Sequence, residues 1–136
     1  MNRIKFTKLW DKLDDPVFTT IRSWNSLKED YYVSNVGKEF QVCLVKDESN
    51  FENVTRLFNA YLTDVKLTTP DKISMEVLER DVTLGGIVEE TWLKRVQHYQ
   101  SVLVLTFSKA PPDKSRIYIV EQPKPPVQAT AQPVYA

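Results

Sequence analysis

Apolar positions recur along this chain at two spacings, and each spacing predicts an element. Ile4, Phe6, Leu9, Trp10 and Leu13 fall at roughly helical intervals and predict a first helix. Asp14-Asp15-Pro16 ends it, because a residue before proline resists the α conformation. "VFTTIR" from Val17 to Arg22 then reads as a strand. Residues 23–38 carry too many polar side chains for a core element, and Gly37 closes them with a turn. In "KEFQVCLVK", Phe40, Val42 and Leu44 alternate with Glu39, Gln41 and Cys43, the signature of a half-buried strand. Residues 51–67 fit both periods: Phe51, Val54, Leu57, Phe58 and Tyr61 suit a helix, whereas Phe58, Ala60 and Leu62 alternate, and a strand from about Leu57 to Leu67 is expected. Ser74 predicts the N-cap of a short helix ending near Asp81. Gly85-Gly86 breaks the chain before Ile87, Val88, Trp92 and Val96, which return at helical intervals, and "SVLVLTFS" predicts a buried closing strand. The sum is an α+β fold: a small bent-sheet or β-barrel domain with flanking helices.

Composition narrows the classes. The chain has 136 residues, long enough for one core and short for two domains. Lysine plus arginine equals aspartate plus glutamate at 18 each, so no global field draws it onto nucleic acid or an anionic membrane, and any anion site must be local. Six of its 8 prolines follow residue 110, which divides the sequence into a folded domain, 1–109, and a largely flexible Pro-rich tail, 110–136, with Ile117 to Val120 able to dock on a sheet edge and the tail able to take a peptide-binding partner. Cys43 stands alone in an apolar strand, which excludes a disulfide framework and a cysteine-based metal site; no metal and no cofactor are expected. The charged start and the lack of a long apolar run predict a cytoplasmic protein outside the membrane.

The order of parts (helix, "TTIR" strand, "GKEFQVCLV" strand, "AYLTDVKL" strand, helix ending "LERD", helix around Trp92, and closing strand "VLVLTFSK") resembles the ASCH domain, a small β-barrel related to PUA-like RNA-binding domains, over residues 4–109. Its most specific element is the family pattern Lys-Thr-x-Thr-x-Arg on the first strand. Here that pattern reads Val17, Phe18, Thr19, Thr20, Ile21, Arg22, keeping the second threonine and the arginine.

The resemblance implies a cleft onto which Thr20 and Arg22, two residues apart on one strand face, both project. Arg22 suits a phosphate or a base edge, and Trp24 would offer a stacking platform for an unpaired base. The competing reading pairs Arg22 with Asp81 or with a helix C-terminus. Arg3, Lys5, Lys8 and Lys12, interleaved with Phe6 and Trp10 and diluted by Asp11, Asp14 and Asp15, and Lys94 beside Arg95 supply further candidate contacts to nucleic acid, although Glu89 and Glu90 make the latter pair look like a solvated helix face. His98 is expected at a helix end, where a charged imidazole favours the dipole. The favoured function is therefore a non-catalytic module that binds RNA, a nucleotide or a modified nucleobase through Thr20, Arg22 and Trp24. The alternative implied by the resemblance is an amidohydrolase acting on an acylated cytidine, with Thr20 as nucleophile and Asp81 as the assisting carboxylate. The family's lysine position is Val17, so the hydroxyl would lack its base unless Lys5, Lys8 or Lys94 reached it from another element. A protein-interaction module acting through the tail is the third reading.

Overall fold

The computed structural model describes residues 1–46 and 54–112. The tail segment containing Ile117 to Val120, together with its expected docking and peptide partner, lies outside the described residues, as does Phe51.

Five strands form the main sheet: β1 (Asn2–Phe6), β2 (Val17–Ser23), β3 (Glu39–Val45), β4 (Val54–Thr68) and β7 (Val102–Ser108), in the order β1-β3-β4-β7-β2. β1 runs parallel to β3, and the other pairs are antiparallel. The sheet bends because of β4. Its first half, up to Tyr61, pairs with β3 and its second half, from Tyr61 on, pairs with β7. The register slips between Leu62 and Asp64, where the bulged Thr63 donates its hydroxyl to the Thr106 carbonyl at 3.1 Å. A second slip at Val42/Cys43 adds to the curl, since a bulge bends its strand and increases local twist. The edge strands β1 and β2 consequently come within side-chain reach of one another, and Arg22 donates to the Lys5 carbonyl at 3.0 Å. The sheet is an open, coiled one with two edges, not the closed barrel that was the alternative expectation.

Inside the curl, Phe18 stacks on Phe107 with centroids 5.5 Å apart, and Phe107 meets Phe40 edge-to-face at 5.3 Å. Ile4, Leu62, Leu103, Leu105 and Val42 complete the apolar core. Cys43 is buried in β3, as expected of a cysteine in an apolar strand, but against the simple alternation: the slip at Val42/Cys43 turns Cys43 inward with Val45 and leaves Leu44 partly exposed.

Three helices flank the sheet: α1 (Ser26–Ser34), α2 (Met75–Asp81) and α3 (Glu90–Gln97). The expected first helix is absent. Ile4 and Phe6, two apart, satisfy the strand period as well as a loose helical one, and parallel pairing with β3 decides in favour of β1. Only a 3₁₀ turn, Asp11–Asp14, remains of it, with Leu13 buried. In the polar stretch judged unfit for a core element, α1 forms without burying any residue. Its start is fixed by Asn25, whose side chain accepts the Lys28 amide at 2.8 Å. α2 begins as predicted, with Ser74 accepting the Val77 amide. α3 starts later than expected because Ile87–Val88 (β6) pairs with Thr83–Leu84 (β5). Gly85 and Gly86, at φ +60° and +78°, form the tight hairpin tip, a conformation that side-chain-bearing residues resist. His98 caps α3, its Nδ1 donating to the Lys94 carbonyl at 2.7 Å, as its place in the sequence suggested. No helix among the described residues is long and apolar enough to cross a membrane.

Candidate functional site

β2 is an edge strand, so half of its backbone groups face away from β7. On that open side lies a cleft of about 220 Å³, bounded by β1, β2, the 3₁₀ turn, the end of α2, and α3. Alternation along β2 puts Phe18, Thr20 and Arg22 on one face. Phe18 goes to the core, while Thr20 and Arg22 reach the cleft wall.

The floor holds a buried ion pair. Lys12, from the 3₁₀ turn, donates to Asp81 Oδ1, and the same oxygen accepts the Ile21 amide of β2 at 3.2 Å. Asp81 thus covers a backbone donor that the sheet edge would otherwise leave unmatched. A carboxylate as the last residue of a helix is disfavoured by the dipole, and these two donors offset that cost. Lys12 is only 2% exposed. Burial pushes its pKa below the ordinary lysine value, while the charge and hydrogen bond of Asp81 pull it back up. Two contacts hold the turn that carries Lys12. Asp11 accepts the Gly85 and Gly86 amides at 2.8 Å each, and Arg80 grips Asp15 at 2.7 and 3.1 Å.

Arg22 occupies the gap between the two sheet edges. Its Nε donates to Thr20 Oγ1 at 3.2 Å, one Nη donates to the Lys5 carbonyl, and the guanidinium lies 4.7 Å from the Phe6 ring centroid. Asp81 pairs with Lys12 rather than with Arg22, so the sequence reading that matched Arg22 to Asp81 does not hold. Thr20 is buried, its oxygen taken as an acceptor by Arg22. Lys28 of α1 donates to both the carbonyl and the hydroxyl of Ser23 at 3.0 Å. On the opposite wall Trp92 meets Trp10 edge-to-face at 5.5 Å, and the Arg95 guanidinium sits 4.4 Å from the Trp92 ring centroid.

Of the residues singled out from sequence, Thr20, Arg22, Lys5 and Asp81 line the cleft together. Trp24 does not. It is exposed, with its indole donating to Glu29 at 2.8 Å, because β2 has ended and the chain is turning into α1. The aromatic wall comes from Trp10 and Trp92 instead. Lys94 is on the exposed side of α3, and Lys8 lies over the Trp92 ring at 5.9 Å without lining the cleft. Lys12 and Arg95, both among the basic candidates read from the sequence, line it as well, and Lys28 lines it unanticipated. For Lys12 the sequence carries no sign of burial, since lysines are almost always exposed unless paired across the fold.

Compared with known proteins, the chain matches no family model, no curated relative and no solved structure. Fold and site define it as an α+β protein with a basic, tryptophan-walled cleft.

Proposed function

We propose that the cleft is a binding site for an unpaired nucleobase carried by RNA or by a nucleotide. One observation carries this reading: in a chain of zero net charge, Lys5, Lys12, Arg22, Lys28 and Arg95 converge on a single cleft that holds one carboxylate, Asp81. Such focusing favours an anionic ligand. Trp92, half-buried and backed edge-to-face by the buried Trp10, supplies the aromatic surface on which a base can pack, and a volume of about 220 Å³ suits one base rather than a duplex. The resemblance of the "TTIR" strand to ASCH domains, relatives of RNA-binding modules, points the same way. The test is titration of single-stranded RNA against wild type, Trp92→Ala and Arg95→Ala. The first substitution removes a stacking partner that is worth roughly 1–3 kcal/mol per base. Wild-type RNA binding that both variants leave unchanged would place the ligand elsewhere.

A second reading, an amidohydrolase acting on an acylated cytidine, gains from one specific feature. Lys12 enters the cleft from the 3₁₀ turn and brings an amine to the cavity that Thr20 and Asp81 line, although the strand motif has Val17 where a lysine was expected. An amine held below its ordinary pKa is the right kind of base for a threonine hydroxyl. Lys12 is nevertheless engaged by Asp81, and Thr20 by Arg22, so binding ranks first. Release of acetate from an acetylated cytidine by wild type, and its loss in both Thr20→Ala and Lys12→Met, would reverse the order.

A further inference from the structure

We infer that the cleft takes its nucleobase as a mononucleotide, with a phosphate monoester held by Arg22, Lys28 and Arg95. This deepens the base-binding reading and rests on it. Hydrogen-bond polarity selects the ligand. Arg22 commits donors to Thr20 Oγ1 and to the Lys5 carbonyl, which is two of the five N–H groups that a guanidinium carries. Lys28 commits two of its three to Ser23. Arg95 is exposed and meets the Trp92 ring face. None of the three forms a salt bridge among the described residues, where the carboxylates in ion pairs are Asp81, with Lys12, and Asp15, with Arg80.

The hydroxyls point to the same polarity. Thr20 Oγ1 accepts from Arg22 and Ser23 Oγ accepts from Lys28, so each hydroxyl has its proton left to give. The one carboxylate at the cleft, Asp81, accepts from Lys12 and from the Ile21 amide, both on Oδ1, and its charge is paired with that of Lys12. The cleft therefore offers spare donors and positive charge, and its one carboxylate is already engaged. Its complement is a group that only accepts and carries close to two negative charges, which a phosphate monoester does near neutral pH and an internal phosphodiester does not. The guanidinium forks also match phosphate oxygens in geometry.

Isothermal titration of the full chain with each of the four nucleosides, and with its 5′-monophosphate, tests the inference. The best-bound monophosphate is expected to bind at least about tenfold more tightly than its nucleoside, the scale of one charge-assisted hydrogen bond. Lys28→Gln and Arg95→Gln should each shrink that ratio; thermal melting establishes that both variants fold. Equal affinity for nucleoside and monophosphate would overturn the phosphate site and leave base binding intact. A preference undiminished in both variants would also overturn it, by placing the phosphate elsewhere. Binding of neither ligand would remove the base-binding reading and this inference with it.

Discussion

Replacing Lys12 by methionine tests how the floor of the cleft is built. The substitution keeps the volume of the stem and removes the ammonium, which leaves Asp81 buried at 5% exposure with the Ile21 amide and without its ion-pair partner. Removing one partner of a buried ion pair costs roughly 3–5 kcal/mol, because the charge left behind is uncompensated. The Ile21 amide still serves one carboxylate oxygen, so the expected loss lies at the lower end, about 3 kcal/mol. The double variant Lys12→Met/Asp81→Asn removes both charges and keeps a carbonyl for the Ile21 amide. It should recover most of that loss and show a coupling of about 2 kcal/mol between the two sites. Urea unfolding at neutral pH, followed by tryptophan fluorescence, measures all four corners of the cycle. A single Lys12→Met costing under about 1 kcal/mol, with a strictly additive double variant, would refute a buried, mutually dependent pair.

The same pair has a pH signature. Lys12 is held below its ordinary value of 10.5, mainly by burial, so between the lowered value and 10.5 the unfolded chain keeps a proton that the folded chain has released. Its contribution to stability therefore rises with pH across that window, and Lys12→Met should remove the rise. Asp81→Asn takes away what holds the pKa up, and NMR of the lysine side chains should find Lys12 titrating at still lower pH. Asp11, held below 3.8 chiefly by the Gly86 and Gly85 amides, contributes stability above 3.8 that is lost as the pH falls through its folded value. Asp11→Asn should remove that part of the acid dependence of the melting temperature. Trp24→Ala should leave RNA affinity within error while Trp92→Ala weakens it, a contrast read in one titration series. Cys43, fully buried in β3, should resist a thiol reagent in the native protein and react promptly in urea; rapid native labelling would contradict the placement of that strand.

The strands announced themselves wherever one face is buried and the other is not. Phe40 and Val42 against Glu39 and Gln41, and the near-continuous run from Val102 to Phe107, specify β3 and β7 with little ambiguity. Ser74 fixed the start of α2 through a cap that acts locally. What escaped was decided by partners distant in sequence. The run 2–6 is a strand because β3, nearly forty residues on, pairs with it. α1 was invisible to apolar periodicity because it buries nothing. In the site, Thr20, Arg22 and Asp81 were legible because a strand face and a helix end place them. The burial of Lys12 was not, since it depends on a turn clamped by Gly85, Gly86 and Arg80 and on a carboxylate 69 residues away. Trp24 failed as a candidate for a related reason: sequence proximity to Arg22 says nothing about direction once the strand has ended.

The most direct test of the cleft's function uses the three tryptophans, which give three indole N–H resonances. Titrating a labelled sample with a nucleoside monophosphate should shift the Trp92 and Trp10 signals, because both rings line the cleft, and leave Trp24, bonded to Glu29 outside it, unmoved. Shifts confined to Trp24, or none at saturating ligand, would contradict a nucleotide site in this cleft.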